Sequence, residues 1–171
     1  MRTLFIPLNR LLSAVVVLLI TGCQQYDVTI NDKLVYEPKR LFRDYNITDS
    51  ALAACVTQAI IDEHVTEAIG LAQLNCSNAG VRSLDGLAIF SRLKGLKLSD
   101  NQIRNLVELS NLVQLETLIL NKNSIIDPVP LRHMRALVVL DLTDNSALQC
   151  PQHGEFDHVA TLTLPEHCTP Q

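Results

Sequence analysis

The chain has 171 residues, enough for one domain, and 47% of them are apolar, yet only 4% are aromatic and tryptophan is absent. Its core must therefore be aliphatic. With 14 basic residues against 18 acidic ones the formal net charge is −4, a poor balance for holding phosphate backbones, so no nucleic-acid partner is expected.

In chain order, Arg2 and Arg10 come before or at the start of an apolar run from Leu11 to Ile20, which is followed by small Thr21 and Gly22. The run is too short to span a bilayer stably, and residues 1–22 read as a secretion signal. Its end, Ile20-Thr21-Gly22-Cys23, resembles a bacterial lipobox. The resemblance implies that Cys23 is acylated and becomes the mature N-terminus. Several acyl chains on one residue give stable anchoring, since each buried CH2 contributes roughly 0.8 kcal/mol. Gln24, where an aspartate would signal retention, implies export to the outer membrane in lipoproteins of this kind. Removal of Arg2 and Arg10 leaves 12 basic residues against 18 acidic, a net charge of −6. The plainer alternative is ordinary cleavage with Cys23 an incidental thiol.

Residues 23–47 form a polar segment behind that anchor. Within it "YDVTINDKLVY" alternates around Asn31-Asp32 and reads as a small hairpin with a tight turn, or else as an irregular tether. A helical region over 48–70 follows. Thr48, Asp49 and Ser50 offer N-cap oxygens. Leu52, Cys55, Val56, Ala59 and Ile60 then form one apolar stripe at helical spacing, and Asp62-Glu63-His64 ends it. A helix with one apolar stripe needs a partner, and the segment that follows supplies one.

From residue 71 the chain repeats itself. Leu74, Leu96, Leu118, Leu140 and Leu162 are each 22 residues apart. Cys76, Leu98, Leu120, Leu142 and Leu164 keep step two residues later, as do Leu71, Leu93, Leu115, Leu137 and Val159 three residues earlier. The pattern L-x-x-L-x-L-x-x-N at this period is a leucine-rich-repeat signature. Each unit is a short strand, a turn and a return that cannot bury its own apolar side, so units stack. The strand period of two sends Leu96 and Leu98 inward and Lys97 outward. Asn101, Asn123 and Asn145 recur where the chain leaves the strand. An amide there can satisfy backbone groups of adjacent coils that would otherwise be buried without partners.

The match resembles the short repeat class of internalin-like proteins. It implies an α/β leucine-rich-repeat solenoid over 71–171, with a parallel β-sheet on the concave face and an N-terminal capping helix over 48–70. Two departures stand out. Ala79 and Cys76 replace the first unit's asparagine and second leucine, as expected of a terminal unit. Pro128 replaces the leucine seen at Leu84 and Leu106, so the third return should be kinked or extended, with Val129 filling the gap.

Four cysteines besides Cys23 bracket the solenoid. An even set in an exported chain reads as disulfides. Of three connectivities, Cys55–Cys76 and Cys150–Cys168 join neighbours in the stack. The competing reading is a metal site from Cys150, His153, His158, His167 and Cys168, whose spacing matches no familiar finger; no metal or cofactor is expected. His64 and His133 read as surface residues. A Gly-rich phosphate loop, G-x-S-x-G and H-E-x-x-H are all missing from the sequence, so no enzymatic activity is expected. Asn46-Ile47-Thr48 and Asn75-Cys76-Ser77 match the glycosylation sequon, which idles in a bacterial chain.

Binding is expected on the outward strand positions. Ile119 and Val139 are expected to be exposed apolar residues at its centre, flanked by Lys97, Thr117, Asn121 and Asp141. The expected function is non-catalytic binding of a protein partner by a lipid-anchored module of the bacterial outer membrane. Alternatives are a structural spacer of an envelope assembly, host-surface adhesion as the internalin resemblance implies, and a metal- or redox-responsive role for the C-terminal Cys/His group.

Overall fold

The computed structural model describes residues 28–30, 33–36 and 40–168. The expected signal 1–22 and the lipidation site Cys23 lie outside the described residues. The chain divides into two units, residues 1–39 and 40–171. In the first, β1 (Val28–Ile30) pairs antiparallel with β2 (Lys33–Tyr36), with a register irregularity between Val28 and Thr29.

The second unit begins earlier than the expected boundary at residue 48. Residues 40–47 pack on the repeats: Leu41, Phe42, Tyr45 and Ile47 are partly buried against the leucine core. Phe42, Tyr45 and Phe90 form a ring cluster with centroids 5.8–6.1 Å apart. Much of the chain's small aromatic content is spent on this one closure.

Helix α1 (Ser50–Asp62) buries Leu52, Val56 and Ile60, with Cys55 and Ala59 partly buried beside them. Asp49 is the N-cap, and its Oδ1 accepts from the amides of Ala51 and Leu52 at 2.9 and 3.0 Å. Its second oxygen reaches the first return, accepting from the amides of Arg82 and Ser83 at 2.8 and 3.1 Å. One carboxylate thus both starts the helix and ties it to a segment more than 30 residues away. At the other end His64 takes a left-handed φ of 54°. The Val65 amide then donates back to Ile60 O at 3.0 Å, which terminates the helix.

Five strands form one parallel sheet in sequence order: β3 (Gln73–Asn75), β4 (Gly95–Lys97), β5 (Thr117–Ile119), β6 (Val139–Asp141) and β7 (Thr161–Thr163). The register is constant, so Leu74, Leu96, Leu118, Leu140 and Leu162 sit side by side. The returns carry 3-10 turns at Leu87–Ile89, Val107–Asn111 and Val129–Leu131. One continuous aliphatic core joins the helix, the strands and the returns. A buried Leu contributes roughly 1.5–3 kcal/mol before entropy is charged, which is why these slots do not drift.

The third return differs from the expectation of a kink filled by Val129. Pro128 itself is buried in the leucine slot, while Val129 is exposed. The turn keeps its form because it uses only the carbonyl of this position: Leu131 N donates to Pro128 O at 3.0 Å, as Leu87 does to Leu84 and Leu109 to Leu106. Proline lacks an N–H but has this acceptor, so it substitutes without breaking the repeat.

Candidate functional site

The site is built by the ladder that holds the coils in register. Asn101 Oδ1 accepts from the amides of Gly80 and Val81, each at 2.9 Å, while its Nδ2 donates to Cys76 O and Leu98 O. Asn123 accepts from Ile103 N and donates to Leu98 O and Leu120 O. Asn145 accepts from Ile125 N and donates to Leu120 O and Leu142 O. Each amide therefore bridges its own coil and the one before. The residue preceding each slot (Asp100, Lys122, Asp144, and Asn78 in the first unit) has a left-handed φ of 55–57°. This turns the chain sharply off the strand and aims the amide inward. Among the described residues no buried side-chain nitrogen or oxygen lacks a partner.

With register enforced, outward side chains line up in rows. Asn75, Lys97, Ile119, Asp141 and Thr163 form one row across the five strands; Gln73, Gly95, Thr117, Val139 and Thr161 form the next. Asn121 stands just past the strand, its Oδ1 accepting from Ser99 Oγ at 2.6 Å. Asp141 Oδ1 accepts from both the amide and the hydroxyl of Thr143. Lys97 is exposed, and its ammonium has no hydrogen-bond or ion-pair partner among the described residues. All six candidate binding residues thus share one face.

The structure corrects one feature of that face. Ile119 and Val139 are half-buried rather than exposed, because neighbouring side chains in a parallel sheet shield one another across the roughly 4.8 Å strand spacing. The strongly exposed aliphatics lie elsewhere, at Val107, Val113, Val129 and Val138 among others. Gly95 adds a notch the sequence did not reveal. A Cβ there would meet Gln73 Oε1 at 1.8 Å, so the Gln73 side chain lies across the glycine and covers it.

Both ends of the repeat array are stapled. Cys55 on α1 is bonded to Cys76, with Cα atoms 5.8 Å apart, and Cys150 to Cys168, at 5.2 Å. Each closes a loop of about 20 residues, for which the chain-entropy model gives about 3 kcal/mol. Of the five candidate metal ligands, Cys150, His167 and Cys168 have donor atoms within 4.8 Å of one another. As a disulfide the two sulfurs offer no thiolate. A ring nitrogen of His167 lies 3.0 Å from Leu148 O, and one of His158 lies 3.2 Å from Met134 O; His153 is outside the group. Glu155 is held by Arg132 and by the amide of Gln152, which fastens the last coil to the third return. Among the described residues no helix is long and apolar enough to cross a membrane.

No protein-family model matches the chain, and no curated protein does. Solved structures do. An internalin C2 of Listeria monocytogenes superposes with a TM-score of 0.57 and 26% identity, over 68% of this chain and 53% of that one. An internalin F of the same organism gives a TM-score of 0.56 and 23% identity, over 69% of this chain and 36% of that one. The chain therefore spans about a third to a half of the length of these neighbours. Together with the five-stranded parallel sheet, the likeness identifies the fold as a leucine-rich-repeat solenoid of the internalin type.

Proposed function

We propose that the chain is a non-catalytic protein-binding module, that its partner docks on the concave row Lys97–Ile119–Asp141 with Thr117, Asn121 and Val139 beside it, and that lipid at Cys23 anchors it in the bacterial outer membrane with α1 capping the solenoid. The observation that carries the reading is the in-register row itself, in which an unpartnered ammonium, an aliphatic side chain and a carboxylate stand on adjacent strands. A partner presenting the complementary sequence of charges would desolvate Ile119 and pair Lys97 in one step, which gives specificity as well as area. The hydrogen-bonded parallel sheet fixes the backbone at these positions, so the ordering cost of binding falls on side chains such as Lys97.

The test is a pair of variants, Ile119→Asp and Lys97→Glu, in the full chain expressed in its own cells. Each should remain folded and lose the protein recovered by affinity capture of the parent chain; Ile119→Asp should also melt somewhat lower, because it sets a carboxylate beside Asp141 at a half-buried position. Full retention of that protein by both folded variants overturns the concave assignment. Mass analysis of the mature N-terminus tests the anchor, which predicts an acylated Cys23 and is refuted by an unmodified thiol there.

A further inference from the structure

The two disulfides differ in their surroundings. Cys76 is 2% exposed, and among the described residues no cluster of metal-ligand side chains includes it. Cys150 is exposed, so a reductant reaches it; Cys168 is half-buried, and His167 stands exposed beside them. The two sulfurs and a ring nitrogen of His167 lie within 4.8 Å of one another. Cys150 precedes the last coil and the turn Glu166–Cys168 follows it, so only the fold brings these donors together.

Contacts other than the S–S bond hold both arms of the group. Gln149 N donates to Ile126 O at 2.7 Å and Leu148 N to Asn145 O at 3.1 Å, which pins the chain entering Cys150 to the preceding coil. On the other arm Cys168 N donates to Pro165 O at 2.9 Å, and His167 Nε2 lies 3.0 Å from Leu148 O. A carbonyl only accepts, so Nε2 carries the proton and, in the neutral ring, Nδ1 keeps its lone pair. Metal-bound histidines are held in this way, with the other ring nitrogen donating to a carbonyl.

The donor set decides the ion. Thiolate and imidazole suit zinc, whereas calcium and magnesium take oxygen ligands. Tetrahedral zinc, with bonds of about 2.3 Å to sulfur and about 2.0 Å to nitrogen, needs these donors about 3.5–3.8 Å apart. Cα atoms 5.2 Å apart let the sulfurs reach that spacing by side-chain rotation. Water completes the fourth position at so exposed a site.

We propose that the reduced chain binds Zn2+ through Cys150, Cys168 and His167, so that a disulfide closes this end of the solenoid when oxidised and zinc closes it when reduced. The reductant is a dithiol: it gives two electrons and two protons to the Cys150–Cys168 bond and is itself oxidised to a disulfide. Zinc then displaces both thiol protons to solvent. Either closure joins residues 18 positions apart. The last coil needs one, because Leu162 and Leu164 are only partly buried while Leu140 and Leu142 are 0% exposed. This site is independent of the concave face and requires no change there.

The experiment treats the full chain with dithiothreitol, desalts it without oxygen and titrates it with Co2+, whose sulfur-to-metal charge-transfer absorption reports thiolate ligation. Mass mapping of alkylated thiols should show Cys150 and Cys168 free and Cys55–Cys76 intact. The cobalt band should appear, and added Zn2+ should abolish it and raise the melting temperature of the reduced chain. H167Q, whose fold is checked before reduction, should bind about tenfold or more weakly, and H153Q should bind as the parent chain does. Absence of the band, undiminished binding by H167Q, or loss of binding in H153Q overturns the proposal. So does opening of Cys55–Cys76 before Cys150–Cys168, or a reduced chain that zinc does not stabilise.

Discussion

Replacing Asn145 by leucine should destabilise the chain although it makes the interior more apolar. Asn145 is 0% exposed. Its loss leaves Ile125 N without its acceptor and Leu142 O without its donor, while Leu120 O keeps a second donor from Asn123 at 3.0 Å. Each buried group left unpaired costs about 1–3 kcal/mol, so the two together cost about 2–6 kcal/mol. Burying a leucine side chain returns roughly 1.5–3 kcal/mol. Fitting a branched group into a slot shaped for a planar amide then adds about 1–3 kcal/mol of strain. At mid-range values the balance is a net loss of about 4 kcal/mol, a large part of the stability of a domain this size. Urea unfolding with linear extrapolation measures it, provided the slope is unchanged. Hydrogen exchange at the Ile125 amide should accelerate more than at Ile103, which keeps Asn123. An unchanged urea midpoint for Asn145→Leu, with Ile125 still protected, would refute the account of why asparagine recurs.

Two further predictions concern the N-terminal closure. Burial alone would raise the pKa of Asp49, but hydrogen bonds from the amides of Leu52, Arg82, Ser83 and Ala51 outweigh it and hold it below the ordinary 3.8. A lowered folded pKa means stability that is full above the unfolded value and lost as pH falls through the folded one. Thermal melts between pH 6 and pH 2 should therefore show an acid-side decline that is shallower in Asp49→Asn; parallel curves would contradict the role given to this carboxylate. Gly86 has φ +90°, and a Cβ there would meet Asn46 O at 2.1 Å. Gly86→Ala should cost about 2 kcal/mol or more through left-handed strain and displacement of residues 46–47, and an unchanged melting temperature would show that this segment does not pack there.

What was legible in the sequence was whatever burial enforces. The leucine slots, the asparagine slots and the ordering of coils are read directly, because a coil that misplaces one of them loses buried area or orphans a backbone group. The disulfides followed once the coils were ordered, since only neighbours in the stack are close enough to bridge. Outward positions carry no such constraint. Lys97, Ile119 and Asp141 could be assigned to a face, but their shielding by neighbours depends on the sheet, so the exposure of Ile119 and Val139 was overestimated. The second oxygen of Asp49 contacts residues more than 30 positions away, and no local pattern announces that. Gln73 over Gly95 needed the register between two strands. Pro128 was misjudged because the expectation considered its missing N–H and ring, not the carbonyl that the turn uses.

The central claim is that the aligned concave row meets the protein partner proposed for it. Photo-crosslinking side chains placed one at a time at Asn75, Lys97, Ile119, Asp141 and Thr163, and at the return-side register Ile89, Asn111 and His133, measure this in intact cells. The account predicts one adduct species strongest from position 119, falling toward 75 and 163, and absent from 89, 111 and 133. Adducts from the return-side positions with none from 97, 119 or 141 would contradict it.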